Sequence, residues 1–258
     1  MFTIDEAACI GCASCVTVCP SGLFSLGEDG KAKAPNQKRC MRCMHCTATC
    51  PTRAVHFEDV PAGEAYSDHP SGGLERLVTT RRSIRHYRDE LPPRELIQWA
   101  LDTAEYAPSG HNMHTHRWTV LWGRGETDRA VQAVFDWALE TRADPTLTIL
   151  ARQKRNLITC GAPCVLLCHS GQESPNHTID AAIAMETVEL LLAERGVSTC
   201  WAGYLQRLSN HVPALQQRLE LPEGHRVRCA MMVGYADGEQ YPNRPWRPKA
   251  QPRWLETE

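Results

Sequence analysis

The sequence predicts an α+β protein in two parts: a small cysteine-held module, then a larger domain of mixed helices and strands. Three observations support this. Eight of the thirteen cysteines fall within the first fifty residues. A stretch rich in proline, glycine and serine, VPAGEAYSDHPSGG, spans residues 60–73 and reads as a linker or boundary. Beyond it, helical and strand signals alternate in mixed order. The expected division is a module over 1–60, a linker over 61–73 and a domain over 74–258.

Composition narrows the function classes. The chain has 258 residues, 42% hydrophobic and 22% charged, which suits a globular protein with a real core. No stretch approaches the eighteen apolar residues of a spanning helix, so no membrane partner is expected. The start, MFTIDEAAC, lacks the basic and apolar regions of a secretory leader, which points to the cytoplasm. The net charge is −2. Within the first sixty residues Asp5, Glu6, Glu28, Asp29, Glu58 and Asp59 balance Lys31, Lys33, Lys38, Arg39, Arg42 and Arg53, which leaves no footprint for nucleic acid. Thirteen cysteines cannot all pair within one chain, and in a reducing compartment clustered cysteines indicate metal or catalysis.

The first part contains an internal repeat. CIGCASCVTVCP starts at Cys9 and CMRCMHCTATCP at Cys40, with the same spacing Cys-x-x-Cys-x-x-Cys-x-x-x-Cys-Pro. Large apolar side chains are few there (Phe2, Ile4, Ile10, Leu23, Phe24, Leu26, Val55 and Phe57 are most of them), so the module needs a staple. Zinc fingers prefer two separated Cys-x-x-Cys pairs, without a third cysteine at the same interval. The repeat resembles a bacterial-type ferredoxin module with two [4Fe–4S] clusters. In that pattern the fourth cysteine of each run ligates the other cluster. The resemblance therefore implies that Cys9, Cys12, Cys15 and Cys50 hold one cluster, and Cys40, Cys43, Cys46 and Cys19 the second. Crossed ligands would tie folding to the metal. His45, inside the second run, reads as a solvated loop residue.

In the second part, residues 74–82 and 93–107 read as helices, with Pro93 suited to the first helical position. Residues 118–122 read as a strand, and 126–141 and 145–158 as helices. Residues 164–168, a short apolar run between Pro163 and Ser170, read as a buried strand. Residues 179–195 are apolar on nearly every side, which predicts a central buried helix stopped at Gly196. Residues 227–233 read as a further buried strand. The tail after Gly238 holds Pro242, Pro245, Pro248 and Pro252; it is expected to run irregularly over a surface, its own or a partner's.

The chemistry-bearing residues of this part come in a fixed order. Arg81-Arg82-Ser83-Ile84-Arg85 can grip a phosphate by charge-assisted hydrogen bonds. Ala107-Pro108-Ser109-Gly110-His111-Asn112 is a polar loop after a helix. Cys200-Trp201-Ala202-Gly203 follows the apolar helix, and Arg244 and Arg247 stand in RPWRP. The series RRSIRHY, APSGHNMHTHRW, GAPCVLLC, ERGVSTCWAGYL, MMVGYAD and RPWRP resembles the nitroreductase family of FMN enzymes, over essentially everything from Leu74 on.

That resemblance implies a homodimer with FMN at the subunit interface of an α+β fold. By position, Arg81, Arg82, Ser83 and Arg85 would contact the FMN phosphate and ribityl chain. Pro108, Ser109 and Asn112 would line the flavin pocket, largely from the partner chain. The Trp201-Ala202-Gly203 backbone would lie beside the reactive ring nitrogen, with Arg247, and Arg244 behind it, closing the phosphate site. Thr115 and His116 stand where the family often has a proline and an aromatic; His111, His114 and His116 suggest either a metal site or a role lining or rimming the flavin. Cys200 would sit near the flavin in a structural role, and Cys160, Cys164, Cys168 and Cys229 read as small buried hydrophobes. No residue is assigned as a catalytic acid or base.

Clusters pass one electron at a time, whereas a flavin accepts one or two, so their union interconverts the two. The expected function is an oxidoreductase that passes electrons between the clusters and FMN and reduces a small electron-poor organic acceptor, such as a nitroaromatic or a quinone. The donor would be a redox partner protein or NAD(P)H. Gly123-Arg124-Gly125 lacks the third glycine of a Rossmann fingerprint, so a nicotinamide would have to stack on the flavin itself. The alternative is an electron carrier or redox sensor with no dedicated small-molecule substrate.

Overall fold

The computed structural model describes residues 1–60 and 73–256. The chain forms two compact units, Met1–Thr80 together with Glu239–Glu258, and Arg81–Gly238. The tail thus groups with the cysteine module, whereas the sequence assigned it to the larger domain. The expected linker lies outside the described residues apart from Gly73, which opens a helix.

The first unit repeats one pattern. Strand β1 (Phe2–Ile4), helix α1 (Ser14–Val18) and strand β2 (Ser25–Leu26) are followed by β3 (Ala32–Lys33), α2 (His45–Thr49) and β4 (Val55–Phe57). The strands pair crosswise and antiparallel, β1 with β4 and β2 with β3, so each two-stranded sheet takes one strand from each copy. Left-handed backbone recurs at matched positions: Gly11 and Arg42 (φ 70° and 52°), Ala13 and Met44 (59° and 64°), Gly22 and Arg53 (59° and 56°). At Gly11 a side chain is excluded outright, because a Cβ would meet the Gly30 carbonyl oxygen at 2.4 Å. The phenylalanines Phe2, Phe24 and Phe57 pack together, with Phe2 5.1 Å from Phe24 and 5.4 Å from Phe57 between ring centroids. Helix α3 (Gly73–Thr80) ends the contiguous part of this unit.

The second unit is built on a four-stranded antiparallel sheet. Its elements are α4 (Arg94–Ala104), β5 (Arg117–Trp122), α5 (Arg124–Thr141), α6 (Pro145–Arg152), β6 (Cys164–Ser170), α7 (His177–Glu194), β7 (Ser198–Trp201), α8 (Gly203–Ser209), α9 (Pro213–Leu219) and β8 (Arg226–Gly234). The strand order is β5-β6-β8-β7. All seven residues of β6 are buried, as its apolar run requires. Cys164, Leu166 and Cys168 of β6 and Cys229, Met231 and Val233 of β8 alternate onto one face, where they meet Ile97, Leu101, Met185 and Val188 of α4 and α7. Cys164, Cys168 and Cys229 thus do the core work expected of them, whereas Cys160 is only half-buried, on a left-handed turn (φ 50°) before β6.

Several expectations need correction. The helix over 145–158 stops at Arg152, because Lys154 turns left-handed (φ 50°) and the Asn156 carboxamide accepts from the Ile158 and Thr159 amides instead. Pro93 caps α4 in an extended conformation (ψ 140°) rather than opening its first turn. Helix α7 is not buried all round in the chain: Ile179 is 60% exposed. Strand β7 and helices α8 and α9 were not foreseen. His45 is buried, not solvated, with its ring 5.5 Å from that of Tyr241. The tail forms no helix or paired strand among the described residues, and it lies over the second cysteine run of its own unit.

Candidate functional site

None of the thirteen cysteines is in a disulfide. Those of the two runs sort into two groups. Cys9, Cys12, Cys15 and Cys50 line one cavity, whose walls are backbone and small side chains such as Gly11, Ala13 and Ala54. Burial pushes the Cys15 thiol up to about 11, with Cys50 and then Cys12 adding like-charge repulsion. Burial likewise raises Cys46 strongly, and here the charged neighbours are Cys43, Cys19 and Cys40. Cys12 is pulled down by hydrogen bonding with Ser14. The Ala54 amide donates to Cys50 Sγ at 3.2 Å and the Leu23 amide to Cys19 Sγ at 3.4 Å. Thiols held this close in a dry site need a cationic centre to remain thiolates. Among the described residues no three ligating side chains converge on a point fit for a single ion. The first quartet rings a small space, and four thiolates around it are the donor set that an iron–sulfur cluster takes.

The second unit gathers its predicted residues along the β7 edge. The segment carrying the arginines runs beside β7: Ser83 bridges Thr199 in parallel, and the Ile84 amide donates to the Thr199 carbonyl at 3.0 Å. Glu189 of α7, fully buried, organises this edge. It accepts from Thr199 Oγ1 and Trp201 Nε1, each at 2.7 Å, and lies 3.5 Å from an Arg81 guanidinium nitrogen. The Glu186 carboxyl is raised, by burial first and then by Glu189. The Ala202 amide donates to the Ala230 carbonyl at 2.7 Å, and Gly203 opens α8. Cys200 is buried in β7.

The 107–116 loop is held elsewhere on α7. The Gly110 amide donates to Asp180 Oδ1 at 2.9 Å, and Ser174 Oγ donates to Asp180 Oδ2 at 3.0 Å. The His114 amide donates to Ser109 Oγ at 3.1 Å, while His111, Asn112 and His114 are left-handed, with φ of 52°, 55° and 44°. Pro108 is exposed at the loop's start. Asn112 Oδ1 lies 2.9 Å from His114 Nε2, and Glu105 Oε1 3.1 Å from His116 Nε2. His114 Nδ1, Thr115 Oγ1 and His116 Nδ1 are buried without a hydrogen-bond partner. Asp180 and Glu189 are nine residues apart, about 14 Å along α7 at 1.5 Å per residue. Within one chain, therefore, Ser109 and Asn112 do not join the arginine edge. Arg244 and Arg247 belong to the tail of the first unit, where Arg247 Nη2 donates to the Cys43 carbonyl at 3.5 Å.

A family model described as "Nitroreductase family" matches residues 78–235. The chain belongs to the nitroreductase family. A second model, a 4Fe-4S dicluster domain, matches residues 1–51 of this nitroreductase-family chain. A ferredoxin of Thermococcus litoralis is 40% identical over 57 residues, 22% of this chain and 95% of that protein. A putative NAD(P)H nitroreductase of Bacillus subtilis is 25% identical over 174 residues, 66% of this chain and 87% of that protein. The fold resembles the crystal structure of a Bacteroides fragilis nitroreductase with bound FMN (TM-score 0.64, 20% identity, 72% of this chain and all of that one). The α+β class and the ferredoxin-like first unit are as the sequence predicted. Sequence reasoning missed Glu189 and Asp180. The available signal was a carboxylate placed inside a helix that is otherwise apolar.

Proposed function

We propose that this nitroreductase-family chain is an FMN-dependent oxidoreductase in which two [4Fe–4S] clusters and FMN exchange single electrons, and a small electron-poor organic compound, nitroaromatic or quinone-like, is reduced. The observation that carries this reading is the sorting of the eight clustered cysteines into two crossed quartets, in a chain whose remainder has the nitroreductase fold. When bound, FMN takes up electrons singly or in pairs, whereas each cluster passes one.

The chain's residues divide the work. Cys9, Cys12, Cys15 and Cys50 hold one cluster; Cys40, Cys43, Cys46 and Cys19 hold the other. Arg81, Arg82, Ser83 and Arg85 bind the FMN phosphate and ribityl chain, with Glu189 fixing Arg81 and the Trp201 indole. The backbone of Trp201, Ala202 and Gly203 faces the ring. Pro108, Ser109 and Asn112 serve the flavin of the partner protomer. The open groove on α7, where Ile179, Ala182, Ile183, Leu190 and Trp201 stand beside Thr178, Glu186 and Thr187, supports a homodimer, because apolar side chains gathered on an open helix face mark an interaction surface.

Either NAD(P)H or a reduced partner protein serves as donor. No described helix is long and apolar enough to cross a membrane. Anaerobic purification with iron, sulfide and flavin counts tests the reading: two clusters and one FMN per chain are expected, and zinc or an absent flavin would contradict it.

A further inference from the structure

The carboxyl-terminal tail makes a set of polar contacts with the second cysteine run. Asn243 is 4% exposed. Its Nδ2 donates to the Cys50 carbonyl at 2.6 Å, its backbone amide donates to the Ala48 carbonyl at 3.0 Å, and its Oδ1 accepts from Arg53 Nε at 3.4 Å. Thr49 Oγ1 donates to the Gln240 carbonyl at 2.7 Å, and the Tyr241 ring meets His45 edge-on at 5.5 Å. Arg247 Nη2 donates to the Cys43 carbonyl at 3.5 Å. These contacts fall on residues 43–53, the segment that carries Cys43, Cys46 and Cys50. A buried carboxamide satisfied at both ends is costly to misplace, and the prolines around it limit the conformations the free tail could sample.

We propose that the tail is a strap that positions the clusters, with Asn243 acting through Cys50 on the cluster of the first run and Arg247 acting through Cys43 on the cluster of the second. The inference rests on the two-cluster ligand scheme above. Fixing the Cys50 carbonyl fixes the direction of its Sγ, which reaches its cluster alone, away from the three ligands of the first run. A donor or a cation beside a ligand's backbone also favours the reduced cluster, because reduction adds negative charge. Asn243 and Arg247 are therefore positioning residues for electron transfer.

The test uses the full chain, purified without oxygen. Asn243→Asp keeps the shape and the acceptor for Arg53 but removes the donor to Cys50. It should release iron from one cluster to a chelator roughly tenfold faster than the wild type, in line with the usual effect of losing a residue that orients a metal ligand. Arg247→Ala is a surface change and should keep all iron. It should shift the midpoint potential of the other cluster to more negative values, as followed by electron paramagnetic resonance, and Arg247→Lys should restore most of that shift. FMN content should stay unchanged in Asn243→Asp. Wild-type iron release together with two unshifted potentials would overturn the strap, as would loss of FMN in place of a change at the clusters. A wild-type protein that loads no clusters would overturn the two-cluster reading and the strap with it.

Discussion

The first unit's core consists of Phe2, Phe24 and Phe57, a few smaller apolar side chains and the cysteines Cys9, Cys15, Cys46 and Cys50 themselves. The second unit buries seven consecutive residues in β6 alone and covers them with α4 and α7. In the first unit the groups that bind the cofactor are the core; in the second the core stands apart from the β7 edge where the cofactor is proposed to bind. The difference teaches that metal and flavin should enter stability differently. Clusters should be needed for folding, whereas FMN should add to a scaffold already formed.

The largest expected effect follows from removing the metal. Stripping the iron, or the substitution Cys43→Ala, should abolish hydrogen-exchange protection in the first unit and leave β6 and β8 protected with flavin bound. Protection retained in both units would erase the contrast. The reverse perturbation is Leu166→Ala, at a fully buried site of β6. It should cost about 2–5 kcal/mol in thermal or denaturant unfolding of the second unit, without loss of iron.

A smaller effect is expected at the flavin edge. Arg82→Ala should weaken FMN binding by roughly ten- to a hundredfold, the equivalent of about 1.5–3 kcal/mol for a hydrogen bond to a charged group, and leave iron untouched. Equilibrium dialysis of the flavin checks this, and unchanged affinity would count against the phosphate assignment.

The smallest effect concerns pH. His169 on β6 is held down to about 4 from 6.5, first by burial, then by His225, whose Nδ1 is 2.9 Å from its own, and by Arg117. The unfolded chain therefore binds the extra proton more readily. Stability from this site is present above pH 6.5 and lost as the pH falls towards 4. The melting temperature of the second unit should decline over that window, and His169→Phe should flatten the decline.

The same contrast explains what the sequence made legible. The two cysteine runs could be read at once from their repeated spacing, whereas the crossing of the fourth ligands came with the ferredoxin resemblance, since Cys50 lies thirty-five residues beyond Cys15. Strands β6 and β8 were legible from unbroken apolar runs. Strand β7, of four residues, and the seven-residue helices α8 and α9 were not, since so few residues show no period. Glu189 escaped because its partners Thr199 and Trp201 are joined to it only once β7 has folded against α7. Asp180 escaped because Gly110 lies seventy residues away. The tail's role escaped because prolines announce irregularity, not a destination.

The claim on which the account rests is that electrons reach the flavin one at a time from the clusters. The most direct measurement is the anaerobic rate of flavin bleaching when a one-electron reductant is mixed with wild-type protein and with the Cys43→Ala variant. The account predicts fast bleaching in the wild type, following cluster reduction, and slow bleaching in the variant despite full FMN occupancy. Equal rates in the two proteins would contradict it.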